Sequence, residues 1–503
     1  MRTYYSYRLR NAYLTIDKDR NEAPRSDDGF VMASLWPSHF PLNIVRDAPR
    51  SGALSSFLIA LEAWRRGLTV TLLDDRLNRI RISDGAQSIT FNHSCPVSET
   101  PKYVRSTIRN KATTKERLRE ASVPAPKGNL LNLQDLTRES LIETARQIGY
   151  PVTIKPVDGS KGDGVYTGIR NDEELLRTFH HYAGTVRSQE MVIEEHFEGN
   201  DYRALVLGDQ VLAVTKRSPA NVVGDGKSSI EDLITAKNGI RKANPFLRTG
   251  LIKPDFEVEE TLSSQGYTLA SVPSAGLHIP LRRVANASAG GDSEDVTYTI
   301  PTAIKDAAVS AIKAVPQMRI AGVDFLYKEA ETEDAKSDFT IIEMNYRPHI
   351  AVNMYPSKGK GPDVPEAIVD HFFPASSRPQ SPNIHRTVFD YIAARKPLTE
   401  GVAQSVTLAP ASNEGFEVAR VATYSSVDIT PRVARLLKLA SKTNRISGSG
   451  IVSDRRLRLI AAGTLQETKS FFDTTSEALG TQPLSIQTWR GRILHGFRIH
   501  DRD

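Results

Sequence analysis

YPVTIKPVDGSKGDGV occupies residues 150–165, and the reading of this stretch decides the fold. Residues 150–157 read as a strand, and GVYTGI at 164–169 reads as its returning partner. Between them GSKGDG packs three glycines into six positions, 159–164. Glycines let two strands joined by a tight turn fold over a ligand, and their bare backbone N–H groups hold phosphate oxygens. A plain hairpin accounts for the loop equally well. Lys155 stands on the strand just before the loop, a natural counter-charge for a phosphate. Lys111, in NKATTK at 110–115, is a second candidate. A lone lysine without such context is ordinarily a surface residue.

Working outward, NKATTKERLREAS (110–122) reads as a helix stopped by Pro124 and Pro126, and RESLIETARQIG ends a second helix on Gly149. NDEELLRTFHHYA (171–183) is a third, with Asn171 as its N-cap. MVIEEHF and YRALVLGDQVLAVTKR supply three more strands, with a turn at Gly208-Asp209. The stretch 236–286 is polar and is expected to be irregular. Alternation returns in RIAGVDFLYKE (319–329) and DFTIIEMNYRP (338–348), joined by an acidic hairpin loop, ETEDAKSD. VPEAIVDHFF is a last helix, ending at Pro374, and SSRPQSPN (376–383) has linker composition.

Upstream, residues 1–40 are polar and weakly patterned. RSGALSSFLIALEAWRRG (50–67) has helical spacing. It lies between a short apolar run at 42–45 and a buried strand at 68–75, which suggests a strand–helix–strand α/β unit. IRISDGAQSITF (80–91) reads as a hairpin turning at Asp84-Gly85. Downstream, 385–503 alternates strand, helix, two strands, helix and strand, the order of a ferredoxin-like sandwich. The expected organisation is therefore mixed α/β and α+β, in four parts: 1–104, 105–375, a linker at 376–384, and 385–503.

The 503 residues have 39% hydrophobic and 25% charged side chains and a mean hydropathy of −0.35, which is ordinary globular composition. The longest strongly apolar stretch, 57–64, already contains Glu62, well short of the ~20 residues that span a bilayer. No secretory signal is visible at the start. The single cysteine, Cys95, excludes an internal disulfide framework and reads as buried packing. These features favour a cytoplasmic protein without membrane or nucleic-acid partners. The net charge of +6 resides in 385–503, where 17 Lys and Arg face 11 Asp and Glu, with no run dense enough for a nucleic-acid stripe.

Asp324 interrupts an apolar strand in GVDF, and Glu343 and Asn345 follow apolar residues in TIIEMN. Positions i and i+2 of a strand face the same side, so Glu343 and Asn345 project together, and Asp324 joins them if the two strands pair. Three oxygen ligands on one sheet face suit Mg²⁺, which keeps waters and bridges phosphates. Solvent-facing polar residues at sheet ends are the plainer alternative. VIEEHFEG brings Glu194 and Glu195 to a strand end, where backbone and a carboxylate can meet adenine and ribose, or simply water. Arg203, Arg217, Arg282 and Arg283 are each able to stabilise a transferring phosphoryl group or to form a surface ion pair.

Taken in order, NKATTK, YPVTIKPVDGSKGDGV, MVIEEHFEGNDYRALVLGDQVLAVTKR, GVDF and IIEMN resemble the ATP-grasp ligases. Inside the insertion, SPANVVGDGKSSIEDLI, SQGYTLASVPSAGLHIPLRRVANASAGGDSEDVT and PSKGKGPDVPEAIVDHFFP are similar to the ATP-grasp module of cyanophycin synthetase and bifunctional glutathione synthetase. The resemblance covers about 105–374. It implies that Lys111 and Lys155 bind ATP phosphates, that Ser160, Lys161, Gly162 and Gly164 form a phosphate lid, and that Glu194 and Glu195 line the adenosine pocket. It implies Mg²⁺, or Mn²⁺ in its place, on Asp324, Glu343 and Asn345. Arg203, Arg217 and Arg283 would lie near the γ-phosphate and the acyl phosphate, with Asn286, Ser288, Gly290 and Gly291 in a loop beside the reaction centre.

The implied activity is ADP-forming amide synthesis between a carboxylate and an amine of amino acids or short peptides, in a homo-oligomer of two or four chains. A small-molecule kinase and a nucleotide-binding regulatory module are the alternatives. Two departures stand out. After IIEMN the family continues with a small residue and Pro-Gly, whereas this chain has Tyr346-Arg347-Pro348-His349, which suggests an altered substrate. The C-terminal order also resembles acylphosphatase, but its phosphate-loop position reads Tyr424-Ser425-Ser426-Val427-Asp428, without glycine or arginine, and Ser453 stands near the expected asparagine. A structural, dimerising or substrate-gating role is expected there. His93 and His349 match no ligand spacing.

Overall fold

The computed structural model describes residues 36–501 except 47, 50–51, 158–163, 330–337, 382, 412–415, 426–428 and 454–455. The strand Val152–Pro156 is buried along its whole length. It pairs antiparallel with Glu190–Glu195 on one side and Tyr166–Ile169 on the other, and Gly128–Asn132 completes a four-stranded small sheet. Two helices back it. Arg138–Ile148 starts in a capping box between Thr137 and Ser140 and stops at Gly149, whose φ of +96° a glycine adopts without strain. Asp172–Thr185 starts on Asn171, which accepts from Glu174 N–H as the sequence predicts. Leu141, Ala145, Leu175 and Tyr182 pack onto Val152, Ile154 and Ile193.

The large sheet is antiparallel, in the order Asp292–Asp295, Gln210–Ser218, Asn200–Leu207, Ile320–Lys328, Asp338–Asn345. Tyr202, Ala204, Val214, Val323, Phe325, Ile341 and Met344 enter one core, closed by Ile304, Ala308 and Ile312 of the helix Thr302–Lys313. Truncating a fully buried side chain such as Phe325 is worth about 3–5 kcal/mol. Asp201, Arg203, Arg217, Asp324 and Glu343 occupy the alternate positions and so share the opposite face. The register shifts between Asp324 and Phe325: Asp324 opposes Glu343, Phe325 opposes Ile341, and Ile342 is the extra residue of a bulge.

The N-terminal region departs from the strand–helix–strand expectation. The run at 42–45 is one helical turn, Leu42–Val45, and the strands after the long helix form an antiparallel meander, not an α/β unit. The helix Ala53–Arg65 is buried throughout and lies on strands Thr69–Leu72, Arg79–Ser83 and Ser88–Asn92. Val406–Thr407 adds to the Thr69–Leu72 edge, with Thr71 opposite Thr407. Val388, Phe389, Tyr391, Leu408 and Ala411 enter the same core, and Trp64 Nε1 donates to Ala409 O at 2.7 Å. The stretch 388–411, assigned by sequence to the last part of the chain, thus packs with the first. Cys95 is buried, 3.7 Å from Thr100 Oγ1, as packing requires.

The stretch expected to be irregular, 236–286, holds the second half of the helix Ile230–Ala243 and all of Phe256–Ser263. Ile230, Ile234, Val258 and Leu262 make a small core of their own there. The last unit has strand order Ser485–Thr488, Val418–Ser425, Arg456–Gly463, Ser447–Ser453, Phe497–Asp501. Its helices Pro431–Thr443 and Leu465–Leu479 supply Leu437, Ala440, Phe471 and Phe472 to one core. Among the described residues, no helix is long and apolar enough to cross a membrane.

Candidate active site

The small sheet and the helix Lys111–Glu120 contribute the cations. Lys155 is 7% exposed, and its Nζ donates to Glu194 Oε1 at 2.6 Å. Lys115 is equally buried and pairs with the other oxygen, Oε2. Lys115 sits four residues after Lys111 on the helix Lys111–Glu120, which Asn110 caps, so both reach the same side. Burial pushes the Lys155 ammonium down to about 8, Lys111 adds to this, and Glu343 opposes it. Burial, then Lys155 and Lys111, push Lys115 down to about 6. Two buried lysines thus share one carboxylate, with Lys111 close enough to act on both.

Glu194 is therefore engaged by lysines rather than open to a ribose. Glu195 is half-buried, and its Oε1 accepts from Lys127 N–H at 3.0 Å. Gly164 has a φ of +71°, and a Cβ there would stand 2.9 Å from Val186 Cγ2, so this position needs glycine. Ser160, Lys161 and Gly162 lie outside the described residues.

The large sheet contributes carboxylates and guanidiniums. Arg203 donates from Nε to Asp324 Oδ1 at 2.5 Å and from Nη2 to Oδ2 at 2.7 Å. Arg217 reaches the same Oδ2 at 3.3 Å and donates from Nε to Asp201 Oδ1 at 2.7 Å. Burial works to raise the Asp324 carboxyl, but Arg203 and Arg217 outweigh it and hold the group below its usual range. Asp201 goes the other way: burial, with Asp324's charge, pushes it up to about 6 against Arg217. Glu343 lies directly opposite Asp324 and is exposed, and Asn345 follows two residues later on the same face. Asn345 Oδ1 accepts from Arg347 N–H at 2.9 Å. Glu343 raises the pKa of both Lys155 and Arg203, so the two sheets face each other across this cleft.

A loop closes one end. Gly291 lies beside Ser218 O, and Ser293 opposes Arg217, which brings the Asn286–Gly291 segment to the end of the Arg217 strand. Asn286 caps its turn, accepting from Ser288 N–H at 2.9 Å. The buried Arg241 anchors the loop, donating to Gly250 O, Ala287 O and Gly291 O and pairing with Asp292. Arg282 is committed to Asp255 and Glu257. Arg283 is exposed, and among the described residues no contact brings it to Arg203 or Arg217.

The donors fit the expected ligands. Two carboxylates and a carboxamide on one face are hard oxygen donors of the kind Mg²⁺ takes, with Glu343 the accessible one and Asp324 shared with arginine. A polyphosphate brought beside these lysines would favour their charged forms and bond to them. Sequence reasoning missed Lys115, although its i, i+4 relation to Lys111 is visible in NKATTK. It also missed Asp201, which only the strand register reveals.

Residues 108–230 match the RimK-like ATP-grasp domain. The chain is 32% identical over 326 residues to the glutathione biosynthesis bifunctional protein of Clostridium perfringens, covering 64% of this chain and 41% of the relative. It is 32% identical over 279 residues to cyanophycin synthetase of Synechocystis sp., covering 54% of this chain and 31% of the relative. A bifunctional glutathione synthetase from Pasteurella multocida superposes with a TM-score of 0.52 at 25% identity, covering 64% of this chain and 43% of that one. The chain thus spans less than half the length of each of these relatives. The lysine-bearing small sheet lies within the residues that match the RimK-like ATP-grasp domain.

Proposed function

We propose that the protein is an ATP-dependent ligase joining the carboxylate of one amino acid or short peptide to the amine of another. One observation carries the reading. Glu343 of the large sheet lies close enough to Lys155 of the small sheet to act on its charge, as it does on its sheet neighbour Arg203, and Lys155 belongs to the residues that match the ATP-grasp domain. In the proposed reaction a substrate carboxylate oxygen attacks the ATP γ-phosphorus, the bond to the β–γ bridging oxygen breaks, and acyl phosphate and ADP result. The amine then attacks the acyl carbon, phosphate leaves, and the amine gives up one proton.

Lys155 and Lys111 bind phosphates in this reading, with Lys115 as a third cation and residues 160–164 as lid. Arg203 and Arg217, held rigid by Asp324 and Asp201, offer N–H donors to the charge that spreads over the transferring group. Asn286 borders the reaction centre in this reading, whereas Arg283, expected there by resemblance, is exposed and is given no role. Glu194 orients the two lysines, and Glu195 borders the adenosine. Asp324, Glu343 and Asn345 would hold Mg²⁺, which when bound neutralises phosphate charge and fixes the phosphate geometry. The strand order of 418–488 supports a ferredoxin-like sandwich, and burial of Tyr424, whose hydroxyl lies 3.3 Å from Ser476 Oγ, favours a non-catalytic role for it. A cytoplasmic homo-oligomer completes the proposal.

The test is ADP release from purified protein with MgATP over pools of amino acids and short peptides, followed by mass spectrometry. A product with the mass of two substrates less water, formed with ADP, supports the ligase. A phosphorylated product in its place identifies a kinase, and ATP binding without turnover identifies a regulatory module.

A further inference from the structure

A second concavity adjoins the cleft. It is an open cavity of about 560 Å³, inside the ~300–1,000 Å³ range of small-molecule sites. Four parts of the chain build it: the start of the helix Ala53–Arg65, the turns of the meander that carry Arg76, Asn78 and His93, the loop after Asn345, and the helix Tyr391–Thr399. His93 and His349 meet at its floor. A Cβ on Gly52 would stand 2.9 Å from His93 Nε2 and 3.3 Å from His349 Cε1, so glycine is what admits both rings. His93 Nε2 lies 3.0 Å from Asn78 Oδ1.

The floor is tied to the reaction cleft. Gly322 separates Arg203 from Pro348, each within 3.3 Å of where its Cβ would be, and His349 is the next residue. Ser94 Oγ donates to Pro348 O at 2.5 Å, and Ile350 N–H donates to Ser55 Oγ at 3.3 Å, which locks this loop to the N-terminal helix and sheet.

The walls are cationic. Arg76 and Arg395 both line the cavity, and Arg395 lies over the Tyr391 ring with its Cζ 5.6 Å from the centroid. No carboxylate is among the described lining residues. Asp74, whose charge reaches His93, is spent on the backbone N–H groups of Arg76, Asn78 and Arg79. Burial, then the charges of Arg203, His93 and Arg347, push His349 down to about 4; burial and then Arg347 lower His93. Both rings are therefore neutral near pH 7 and serve as hydrogen-bonding groups in a positive field.

We infer that this cavity is a substrate subsite for a carboxylate that the reaction does not consume, held by Arg76 and Arg395, with His93 and His349 bonding the polar atoms beside it. The inference rests on the ligase reading for its place in turnover, but the binding itself is independent of turnover. It assigns the helix Tyr391–Thr399, far along the chain from the ATP-grasp match, to substrate selection. It also gives one residue of the Tyr346–His349 departure a purpose: His349 lines the cavity.

Calorimetric titration of the full chain with L-alanine, L-glutamate and the dipeptides made from them, each beside its C-terminal amide, tests this. At least one acid should bind about tenfold more tightly than its amide, and Arg395→Gln and Arg76→Gln should each remove most of that difference. Arg395→Lys, which keeps the charge, should restore much of it. MgATP binding by these variants should match the unaltered protein, which shows that they fold. Equal binding of acids and amides, absence of binding by all acids, or an Arg395→Gln variant with unchanged preference would overturn the inference. Failure of MgATP to bind the unaltered protein would instead overturn the ligase reading. Once a substrate pair is known, the substrate whose KM rises in Arg395→Gln is the one whose carboxylate sits here.

Discussion

Arg203 closes on both oxygens of Asp324 from the neighbouring strand, at 2.5 and 2.7 Å, with Asp324 and Arg203 paired directly in the sheet register. The carboxylate is 5% exposed, and it serves two guanidiniums at once. Its charge therefore holds the arginines in place as well as offering an oxygen to a metal.

Asp324→Asn keeps the shape and deletes the charge. Arg203 then loses its charged partner while Arg217 keeps Asp201, which should cost about 3 kcal/mol. Urea unfolding should show this loss together with absent turnover. Stability equal to that of the unaltered chain would mean that the bidentate pair does not hold Arg203.

Glu343 is exposed and outside the packed core, so Glu343→Gln should change stability by less than about 0.5 kcal/mol. Turnover should be abolished all the same. A well-folded variant with near-normal ADP release would sink the metal assignment.

The lysine cluster ties ATP binding to pH. Lys155 titrates at about 8 and Lys115 at about 6 in the ligand-free fold. Both lie below the ordinary lysine value, so folding favours their neutral forms. That cost is fully present below the folded values and is relieved as pH rises toward the unfolded value of about 10.5. Phosphates reverse the shift by favouring the charged forms. Nucleotide binding at pH 8 should take up about one proton, read by calorimetry in buffers of different ionisation enthalpy, and affinity should fall from pH 7 to 9. Zero proton uptake in both buffers would place the phosphates elsewhere.

Arg241 holds the loop beside Arg217 through three carbonyls. Arg241→Leu strands those carbonyls, at a cost of about 3 kcal/mol. Hydrogen exchange should rise across 286–291 ahead of the rest of the chain, and turnover should drop. Uniform exchange with retained activity would make the loop irrelevant to the reaction.

Sequence range decides how much was legible. Val152–Pro156 and the two strands bearing Asp324 and Glu343 are marked by local alternation, and the i, i+2 rule already placed Glu343 beside Asn345. The opposition of Asp324 to Glu343 needed the strands to pair, and the bulge at Ile342 sets that register without any sequence mark. The helices Ile230–Ala243 and Phe256–Ser263 escaped because each buries only a few side chains, in a polar stretch where turns and helices look alike. The meeting of His93 with His349 depends on packing between segments about 250 residues apart, which no window of sequence contains.

The pairing of Val406–Thr407 with Thr69–Leu72 makes the ends of the chain interdependent. A chain cut in the 376–384 linker would lose Phe389 from beside Trp64, and Thr69–Leu72 would become a bare sheet edge. Such an edge invites other strands, so fragments expressed separately would clump unless supplied together, and protease nicking at the linker would leave the two pieces clasped.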